Sequence, residues 1–391
     1  MKILILSFYY SPDLCPGSFR CTAFVEQLRH LVGPTDQIEV ITTIPNRYAT
    51  FNVQAPEVEN QPQVTIRRIK LPHHQSGMVD QTKAFVYFSR EVSKLVKHSD
   101  YSLVFATSSR LMTAVLGSVI ARRKKAKLYL DIRDIFVDTL DDILPAKFSI
   151  VAKPIFSWLE KYAFTHAHRI NLISPGFEDY FRERYPHIPL RAFTHGIDVE
   201  FLPTEQIATQ LSKNVKPLTV LYAGNIGEGQ GLHSIIPTLA KRMEGQIKFR
   251  LIGDGGRKLH LVAEIKSANC HNVEMLPPMN REALMKEYQE ADVLFLHLND
   301  YEAFYKVLPS KLFEYAASGK PIWAGVSGYA AKFIQSEVSN AAIFSPCNIF
   351  EAEQCFYSLD LIVKPRHDFI QKYTRQQAMQ SMASDLLSLL S

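Results

Sequence analysis

The feature that most constrains the fold is an alternation of short apolar runs with segments of helical periodicity. Residues 2–8 begin it as a nearly continuous apolar run, which is typical of a parallel strand buried on both faces. A loop follows, and then residues 18–32 carry apolar side chains at helical spacing before Gly33 ends the helix. Repeated strand and helix segments predict an α/β fold with a doubly wound, mostly parallel sheet.

The alternation starts again near the middle of the chain, so each half predicts its own sheet. In the first half we predict strands at residues 2–8, 38–43, 64–70, 102–107, 127–131 and 169–173, and helices at 18–32, 81–98, 110–124, 149–167 and 176–184. In the second half we predict strands at residues 218–223, 248–252, 273–275, 293–296 and 321–324, and helices at 231–243, 257–268, 280–289, 309–318, 328–336 and 350–361. Two similar Rossmann-like domains follow from this repetition.

The predicted domains cover residues 1–200 and 214–365. The segment 201–217 between them contains two prolines and polar residues, which is typical of a linker. After Pro365, a last amphipathic helix within residues 366–391 is expected to pack back onto the N-terminal domain. Two such domains would face each other across a ligand cleft at the carboxyl ends of both sheets.

Composition indicates an ordinary soluble protein of about two domains. Of its 391 residues, 47% are hydrophobic and 21% are charged, values that allow a sizeable core. No apolar run reaches the ~18 residues that a membrane-spanning helix needs. The five cysteines are scattered and lack CxxC spacing, which favours a reducing cytoplasm and argues against a structural metal site. We therefore expect a cytoplasmic location, no metal and no cofactor.

The charge is unevenly distributed between the halves. Residues 1–195 carry 25 Lys and Arg against 18 Asp and Glu, a net +7, and residues 196–391 carry 19 against 21, a net −2. A basic N-terminal half suits an anionic partner such as a membrane surface or a phosphorylated lipid. The basic run at residues 122–125 fits either that partner or a solvated helix C-terminus. No basic stripe interleaved with aromatic residues is present, so a nucleic-acid partner is not expected.

Residues 301–322, YEAFYKVLPSKLFEYAASGKPI, form the most informative stretch for a binding site. Pro309 suits the first helical position and Gly319 the position just past the end, which predicts a short helix. Lys311 then lies in the first turn, where the helix dipole costs a cation roughly 0.3–1 kcal/mol, and Lys306 stands just upstream. A bound anion such as a diphosphate would offset this repulsion. Alternatively, both lysines extend into water.

The loop at residues 9–20, YYSPDLCPGSFR, joins the first predicted strand to the first helix. Gly17 permits close approach of the backbone to a ligand, and Ser18 can cap the helix. Arg20 adds a positive charge at the helix opening, which would favour an anion. The alternative is a turn that merely needs Gly and Pro.

Two further loops combine glycine or charge with a position at a strand end. Residues 224–231, GNIGEGQG, hold four glycines, a cost in chain entropy that favours close approach to a ligand. The glycines at 253–256 fit a plain turn equally well. Asp131, Arg133 and Asp134 follow a buried strand, where ligand contacts of α/β sheets tend to lie. The chain contains no DxD pair, so a metal-held diphosphate is unsupported. The later aspartates at 138, 141 and 142 fit a solvated loop or a site.

Seven segments, taken in order, resemble a retaining GT-B glycosyltransferase of family 4. The likeness covers nearly the whole chain and is nearest to the bacterial branch that builds O-antigen, capsule or exopolysaccharide repeats, including N-acetyl-fucosamine transferases. The segments are YYSPDLCPGSFR, YLDIRDIFVD, ISPGFEDYF, HGIDVEFL, VLYAGNIGEGQGL, LIGDGG and VLPSKLFEYAASGKPI.

The resemblance implies transfer of a sugar, such as an N-acetylated deoxy-hexosamine, from a UDP-sugar held by the C-terminal domain. The acceptor would be a polyprenyl-diphosphate-linked or growing oligosaccharide held by the N-terminal domain at the cytoplasmic face of the inner membrane. The reaction would retain configuration and need no metal. Two alternatives stay open, a UDP-sugar epimerase of GT-B fold and a catalytically silent nucleotide-binding scaffold.

The resemblance also assigns roles to single residues. Glu314 matches the second glutamate of the family's E-x7-E element, which accepts hydrogen bonds from the ribose hydroxyls. The position of the first glutamate holds Lys306, and the usual Arg and Lys of the glycine-rich loop fall at Asn225 and Gln230, which we interpret as a relocated diphosphate clamp. Asp134, with Arg133 beside it, is expected to contact the reacting sugar. The predicted donor-binding residues are Gly17, Ser18, Arg20, Gly224, Asn225, Gln230, Lys306, Ser310, Lys311 and Glu314.

Overall fold

A computed structural model describes residues 1–45, 54–72, 78–108, 111–143, 146–202 and 217–390. The chain divides into two compact units, unit 1 with Met1–His195 and Arg375–Ser391, and unit 2 with Gly196–Thr374. The predicted domains were 1–200 and 214–365, and most of the predicted linker lies outside the described residues.

The described part of unit 1 contains an eight-stranded sheet in the order β3-β4-β2-β1-β5-β6-β7-β8. All neighbours are parallel except β3, which runs antiparallel to β4. The strands are β1 (Lys2–Leu6), β2 (Gln37–Thr43), β3 (Val58–Gln61), β4 (Val64–Ile69), β5 (Leu103–Thr107), β6 (Lys127–Ile132), β7 (Arg169–Leu172) and β8 (Leu190–Arg191). The helices are α1 (Pro16–Leu31), α2 (Met78–Leu95), α3 (Leu111–Lys124), α4 (Phe136–Ile143), α5 (Ala146–Thr165) and α6 (Glu178–Arg184).

The burial of the central strands of unit 1 explains why the sequence pattern predicted them. Strand β1 is buried on both faces, and such strands appear as continuous apolar runs. On the face covered by α1, Phe24 stacks on Phe105 at 4.5 Å between ring centroids, and Phe105 stacks on Tyr129 at 5.8 Å. Aromatic side chains thus join the helix to the middle of the sheet.

The described part of unit 2 contains a six-stranded parallel sheet in the order β11-β10-β9-β12-β13-β14. Trp323 of β13 is fully buried and stacks on Phe249 of β10. The strands are β9 (Leu218–Asn225), β10 (Ile247–Asp254), β11 (Val273–Leu276), β12 (Val293–His297), β13 (Ile322–Gly325) and β14 (Ala341–Phe344). The helices are α7 (Leu232–Arg242), α8 (Lys258–Ser267), α9 (Arg281–Glu290), α10 (Lys311–Ala317), α11 (Gly328–Glu337), α12 (Ile349–Phe356) and α13 (His367–Lys372). The predicted α/β class with two parallel sheets is confirmed.

The predicted terminal helix consists of two helices in the structure. The first, α13, packs on α10 in unit 2, where Phe369 joins the core. The second, α14 (Arg375–Leu387), packs against α1 in unit 1 and buries Met379 and Met382. The chain therefore returns to its first unit only after Thr374.

Candidate functional site

The order in which successive strands are added to the unit 2 sheet reverses between β9 and β12. Strands β10 and β11 lie on one side of β9, and β13 and β14 lie beyond β12. Open α/β sheets bind ligands at such a switch point, beyond the carboxyl ends of the strands. Here β9 leads into the glycine-rich loop (residues 224–231), and β12 leads into the segment before α10. This edge is therefore the candidate site of unit 2.

The glycine-rich loop closes on itself through Asn225 and Gln230, which stand where the family resemblance implies an Arg and a Lys. The Asn225 amide donates to Gln230 Oε1 at 2.7 Å, and the Gly227 N–H donates to the same oxygen at 3.3 Å. A 3-10 turn at Glu228–Gln230 follows, and Gly231 then adopts the left-handed conformation with φ +58° before α7. A non-glycine residue would be strained at Gly231.

Side chains of the protein itself account for the glycine density of this loop. A Cβ at Gly229 would lie 2.8 Å from the Phe304 ring, and one at Gly231 would lie 3.0 Å from the Asn299 carboxamide. The glycines at 253–256 have a related role, because a Cβ at Gly253 would overlap the Gly224 carbonyl oxygen. Neighbouring parts of the protein thus lie against these glycines, and the predicted close approach of a ligand stays a prediction.

Glu314 is buried on α10 and its carboxylate is held from two sides. Oε2 accepts from the Tyr288 hydroxyl at 2.9 Å and from Lys311 Nζ at 2.8 Å. Burial, followed by the Glu314 charge, raises the pKa of Tyr288 well above its usual range, so this phenol stays a donor. Lys311 thus has an acidic partner one turn away, which offsets the predicted repulsion from the helix dipole.

Helix α10 is tied to the glycine-rich loop through the residue beside Glu314. The Ala223 N–H donates to the Tyr315 hydroxyl at 3.1 Å, immediately before Gly224. The helix begins at Lys311, with Ser310 just before it, two residues later than Pro309 suggested. Lys306 ends the 3-10 turn Glu302–Lys306 in the segment after β12. The predicted donor-binding residues of the second half therefore lie in connected elements at one sheet edge.

The predicted residues of unit 1 fall into a second group at the carboxyl edge of its sheet. A Cβ at Gly17 would overlap a guanidinium nitrogen of Arg133, so these two residues are in contact. Asp134 is exposed. The prediction that Ser18 caps the helix is wrong, because α1 begins at Pro16 with Cys15 as its N-cap. Ser18 is fully buried, and its hydroxyl has no hydrogen-bond partner within the described residues.

Arg20 lies inside unit 1 rather than at its surface. Its guanidinium forms a bidentate pair with Asp131, with both N–H···O distances at 2.9 Å. The same group donates to the carbonyl oxygens of Thr194 and Phe193. Arg20 therefore joins α1 to β6 and to the segment at residues 193–194. Its predicted contact with a donor stays a prediction.

The site contains residues that the sequence reasoning did not single out. Tyr288 orients Glu314, and His297 and Asn299 contact the glycine-rich loop. A signal for the latter two was available, because they are polar residues within three positions of the end of a predicted buried strand. Tyr288 gave none, since its position in a helix of mixed pattern does not distinguish it.

The described residues contain neither a metal-binding cluster nor a helix that could cross a membrane. No group of three or more His, Cys, Asp or Glu side chains in the described part is arranged to hold a metal ion. None of the helices there combines the length and the apolar character that crossing a membrane requires.

Comparison with known families accounts for both units. Residues 21–192 match the family described as glycosyl transferase 4-like domain, and residues 203–372 match glycosyl transferases group 1. Each unit is therefore similar, over most of its length, to a glycosyltransferase domain. A 127-residue stretch is 29% identical to WcaI of Escherichia coli strain K12, described as a colanic acid biosynthesis glycosyl transferase. That stretch spans 32% of this chain and only 30% of the length of WcaI.

Solved structures with the same architecture cover the whole chain at low identity. Sucrose-phosphate synthase from Thermosynechococcus elongatus has a TM-score of 0.71 at 14% identity, covering 100% of this chain and 99% of its own. HepE from Anabaena, solved with UDP, has a TM-score of 0.66 at 15% identity over 99% and 100%. WaaG, a glycosyltransferase of lipopolysaccharide biosynthesis, has a TM-score of 0.64 at 12% identity over 99% and 97%. These likenesses confirm the predicted GT-B fold.

Proposed function

We propose that this protein is a retaining glycosyltransferase that moves a sugar from a UDP-sugar to a polyprenyl-diphosphate-linked or growing oligosaccharide. The two glycosyltransferase domains support the reaction class. The likeness to WcaI and to WaaG supports a place in surface polysaccharide synthesis, and the UDP complex of HepE supports the choice of nucleotide.

The observation that carries the proposal is the buried and oriented carboxylate of Glu314. The Tyr288 hydroxyl and Lys311 Nζ both donate to Oε2. We propose that Oε1 accepts from the ribose hydroxyls of the donor. A carboxylate suits that role because its two oxygens offer several acceptor positions, and charged hydrogen bonds are stronger than neutral ones. Fixing one oxygen in advance lowers the cost of ordering the group when the nucleotide binds.

The diphosphate of the donor needs positive charge as its bond to the sugar breaks. We propose that Lys311, whose side chain is 25% exposed, turns from Glu314 toward the phosphates, with Lys306 and Ser310 beside it. The backbone N–H groups of the glycine-rich loop would add donors without a metal ion. The electron pair of the broken bond stays on the diphosphate. The acceptor hydroxyl attacks the same face of the sugar and gives its proton to the departing diphosphate oxygen, so the configuration is retained.

We propose that unit 1 binds the acceptor and contacts the membrane surface. Arg133 and Asp134 are the residues that we expect near the reacting sugar. On α5, Trp158 is 65% exposed and Ile150 is 73% exposed, and the unit that carries them is basic. Exposed aromatic and aliphatic side chains on a basic surface suit peripheral binding to an anionic membrane.

The test is product formation by the purified protein. UDP-, GDP- and TDP-sugars are offered with a polyprenyl-diphosphate-linked acceptor, and products are identified by mass spectrometry. We expect one donor to add a single sugar to the acceptor and to release its nucleoside diphosphate. Conversion of a UDP-sugar without acceptor would instead support an epimerase, and nucleotide binding without turnover on any acceptor would support a silent scaffold. Either outcome contradicts the proposal.

A further inference from the structure

His297 occupies a closed position at the edge of the unit 2 sheet. It is the last residue of β12 and is 1% exposed. Its ring lies parallel to that of Phe295, with centroids 5.9 Å apart, and next to Phe344. A Cβ on Gly325 of the neighbouring strand would overlap this ring. The imidazole is thus fixed among three strands and is too enclosed to serve as a proton donor to a substrate.

The two ring nitrogens of His297 have partners that define one tautomer. Nδ1 lies 2.7 Å from the carbonyl oxygen of Gln230, and a carbonyl can only accept, so Nδ1 carries the proton. Nε2 accepts from the Cys347 N–H at 3.0 Å, so it carries none. Burial lowers the pKa of His297 to about 4, which keeps this neutral form at ordinary pH.

Asn299 continues the same set of contacts two residues later. Its backbone N–H donates to the Gly229 carbonyl at 2.9 Å, and its side-chain amide donates to the Glu228 carbonyl at 3.0 Å. Together with His297, it therefore binds three consecutive carbonyl oxygens of the glycine-rich loop. In a trans peptide the N–H points opposite to the carbonyl. Fixing the carbonyls on the β12 side thus turns the N–H group of Gly229 to the other side. The N–H groups of Gln230 and Gly231 donate within the turn, to the carbonyls of Gly227 at 3.3 Å and Glu228 at 3.1 Å.

We infer that His297 is a positioning residue, which together with Asn299 holds the carbonyls of residues 228–230 away from the donor diphosphate. The inference rests on the proposed function, because it assumes that the glycine-rich loop faces that diphosphate. Carbonyl oxygens repel phosphate oxygens, and backbone N–H groups attract them. A loop that is free to rotate its peptides would lose this preference.

The experiment uses two substitutions of the full chain that each keep one half of the imidazole's hydrogen bonding. In H297N the side-chain amide can take the place of Nδ1 and still donate to the Gln230 carbonyl. In H297Q the side-chain oxygen can take the place of Nε2 and accept from Cys347, while the Gln230 carbonyl loses its donor. Calorimetry measures binding of UDP and of uridine to wild type and both variants, and hydrogen exchange follows the amides of Gly229 and Gly231.

We expect H297Q to weaken UDP binding roughly tenfold and uridine binding less than about twofold, with faster exchange at Gly229 and Gly231. H297N should bind UDP with an affinity within about threefold of that of wild type, because its side-chain amide still donates to the Gln230 carbonyl. The inference is overturned if H297Q weakens both ligands equally or neither, or if loop exchange is unchanged. If wild type binds no UDP, the proposed function fails, and the exchange results still decide whether His297 holds the loop.

Discussion

Each unit carries an ion pair at the carboxyl edge of its sheet, and the two pairs differ in what they can do. In unit 1, Arg20 and Asp131 are 1% and 3% exposed and meet through two hydrogen bonds. In unit 2, Lys311 and Glu314 are 25% and 9% exposed and meet through one. The first pair joins segments 111 residues apart, whereas the second lies within one helix.

The difference separates a structural ion pair from one that can exchange partners. Neither member of the buried pair can turn to a ligand without leaving a charge uncompensated in the interior, which is costly. Lys311 is 25% exposed on a flexible stem, so its charge can stay solvated when it turns away, and the Glu314 carboxylate then keeps its hydrogen bond from Tyr288. We therefore place ligand binding at Lys311 and Glu314, and stability at Arg20 and Asp131.

The largest effect is expected for Arg20→Ala. Removing one partner of a buried ion pair costs about 3–5 kcal/mol, because the other charge stays buried. Denaturant unfolding of the variant should show a loss of this size. Arg29→Ala on the same helix is the matched control, since Arg29 forms a more exposed pair with Glu26 and should change stability by at most about 1 kcal/mol. An Arg20 variant as stable as the control but deficient in UDP binding would reverse the assignment.

Glu314→Ala should weaken UDP and uridine alike, because both contain the ribose. Loss of hydrogen bonds to a charged group predicts a roughly 10- to 100-fold fall in affinity, measured by calorimetry. Glu290→Ala serves as the control, since its side chain is 67% exposed on α9. Unchanged affinity for both ligands in the Glu314 variant would remove the ribose assignment.

Lys311→Ala should discriminate between the two ligands. Loss of a cation beside the phosphates predicts a roughly five- to tenfold weaker binding of UDP and little change for uridine. Lys286→Ala, at a side chain 68% exposed on α9, should leave both affinities unaltered. Equal losses for UDP and uridine in the Lys311 variant would contradict the relocated clamp.

The smallest effect concerns Glu160, a buried carboxylate of unit 1 without a basic partner among its described hydrogen bonds. It accepts from the hydroxyls of Tyr180 and Tyr185, and burial raises its pKa above the usual 4.5. A raised pKa stabilises the fold below about pH 4.5, and this contribution is lost as the pH rises through the folded-state pKa. Glu160→Gln should therefore be more stable than wild type at pH 7, and this difference should disappear near pH 4. Exposed Glu183→Gln should show no such pH dependence in unfolding experiments.

Sequence reasoning succeeded where a single segment carries its own signal. Parallel strands such as β1 and β9 appear as apolar runs because both of their faces are buried. Strand β3 was missed because its sequence, VENQ, lies mostly exposed at the sheet edge and has no apolar pattern. Helix α4 was missed because its aspartates suggested a solvated loop. Glu314 was singled out by its motif, and in the structure its side chain is buried rather than exposed on the helix surface.

What the sequence could not show are partners that lie far apart along the chain. Nothing near Arg20 indicates that Asp131 will neutralise it, so a cation at a helix opening suggested a phosphate site. The contacts of Tyr288 with Glu314 and of Asn299 with Glu228 likewise depend on how the strands are ordered. Pairings of this kind follow from the tertiary fold and leave no local periodicity to read.

The central claim is that unit 2 binds a nucleoside diphosphate at Glu314 and Lys311, and calorimetric titration of the full chain with UDP tests it most directly. The account predicts saturable binding of one UDP per chain, which Glu314→Ala weakens strongly and Arg29→Ala leaves unaltered. Absence of binding by UDP, GDP and TDP at millimolar concentration, with the wild-type protein folded, would contradict it.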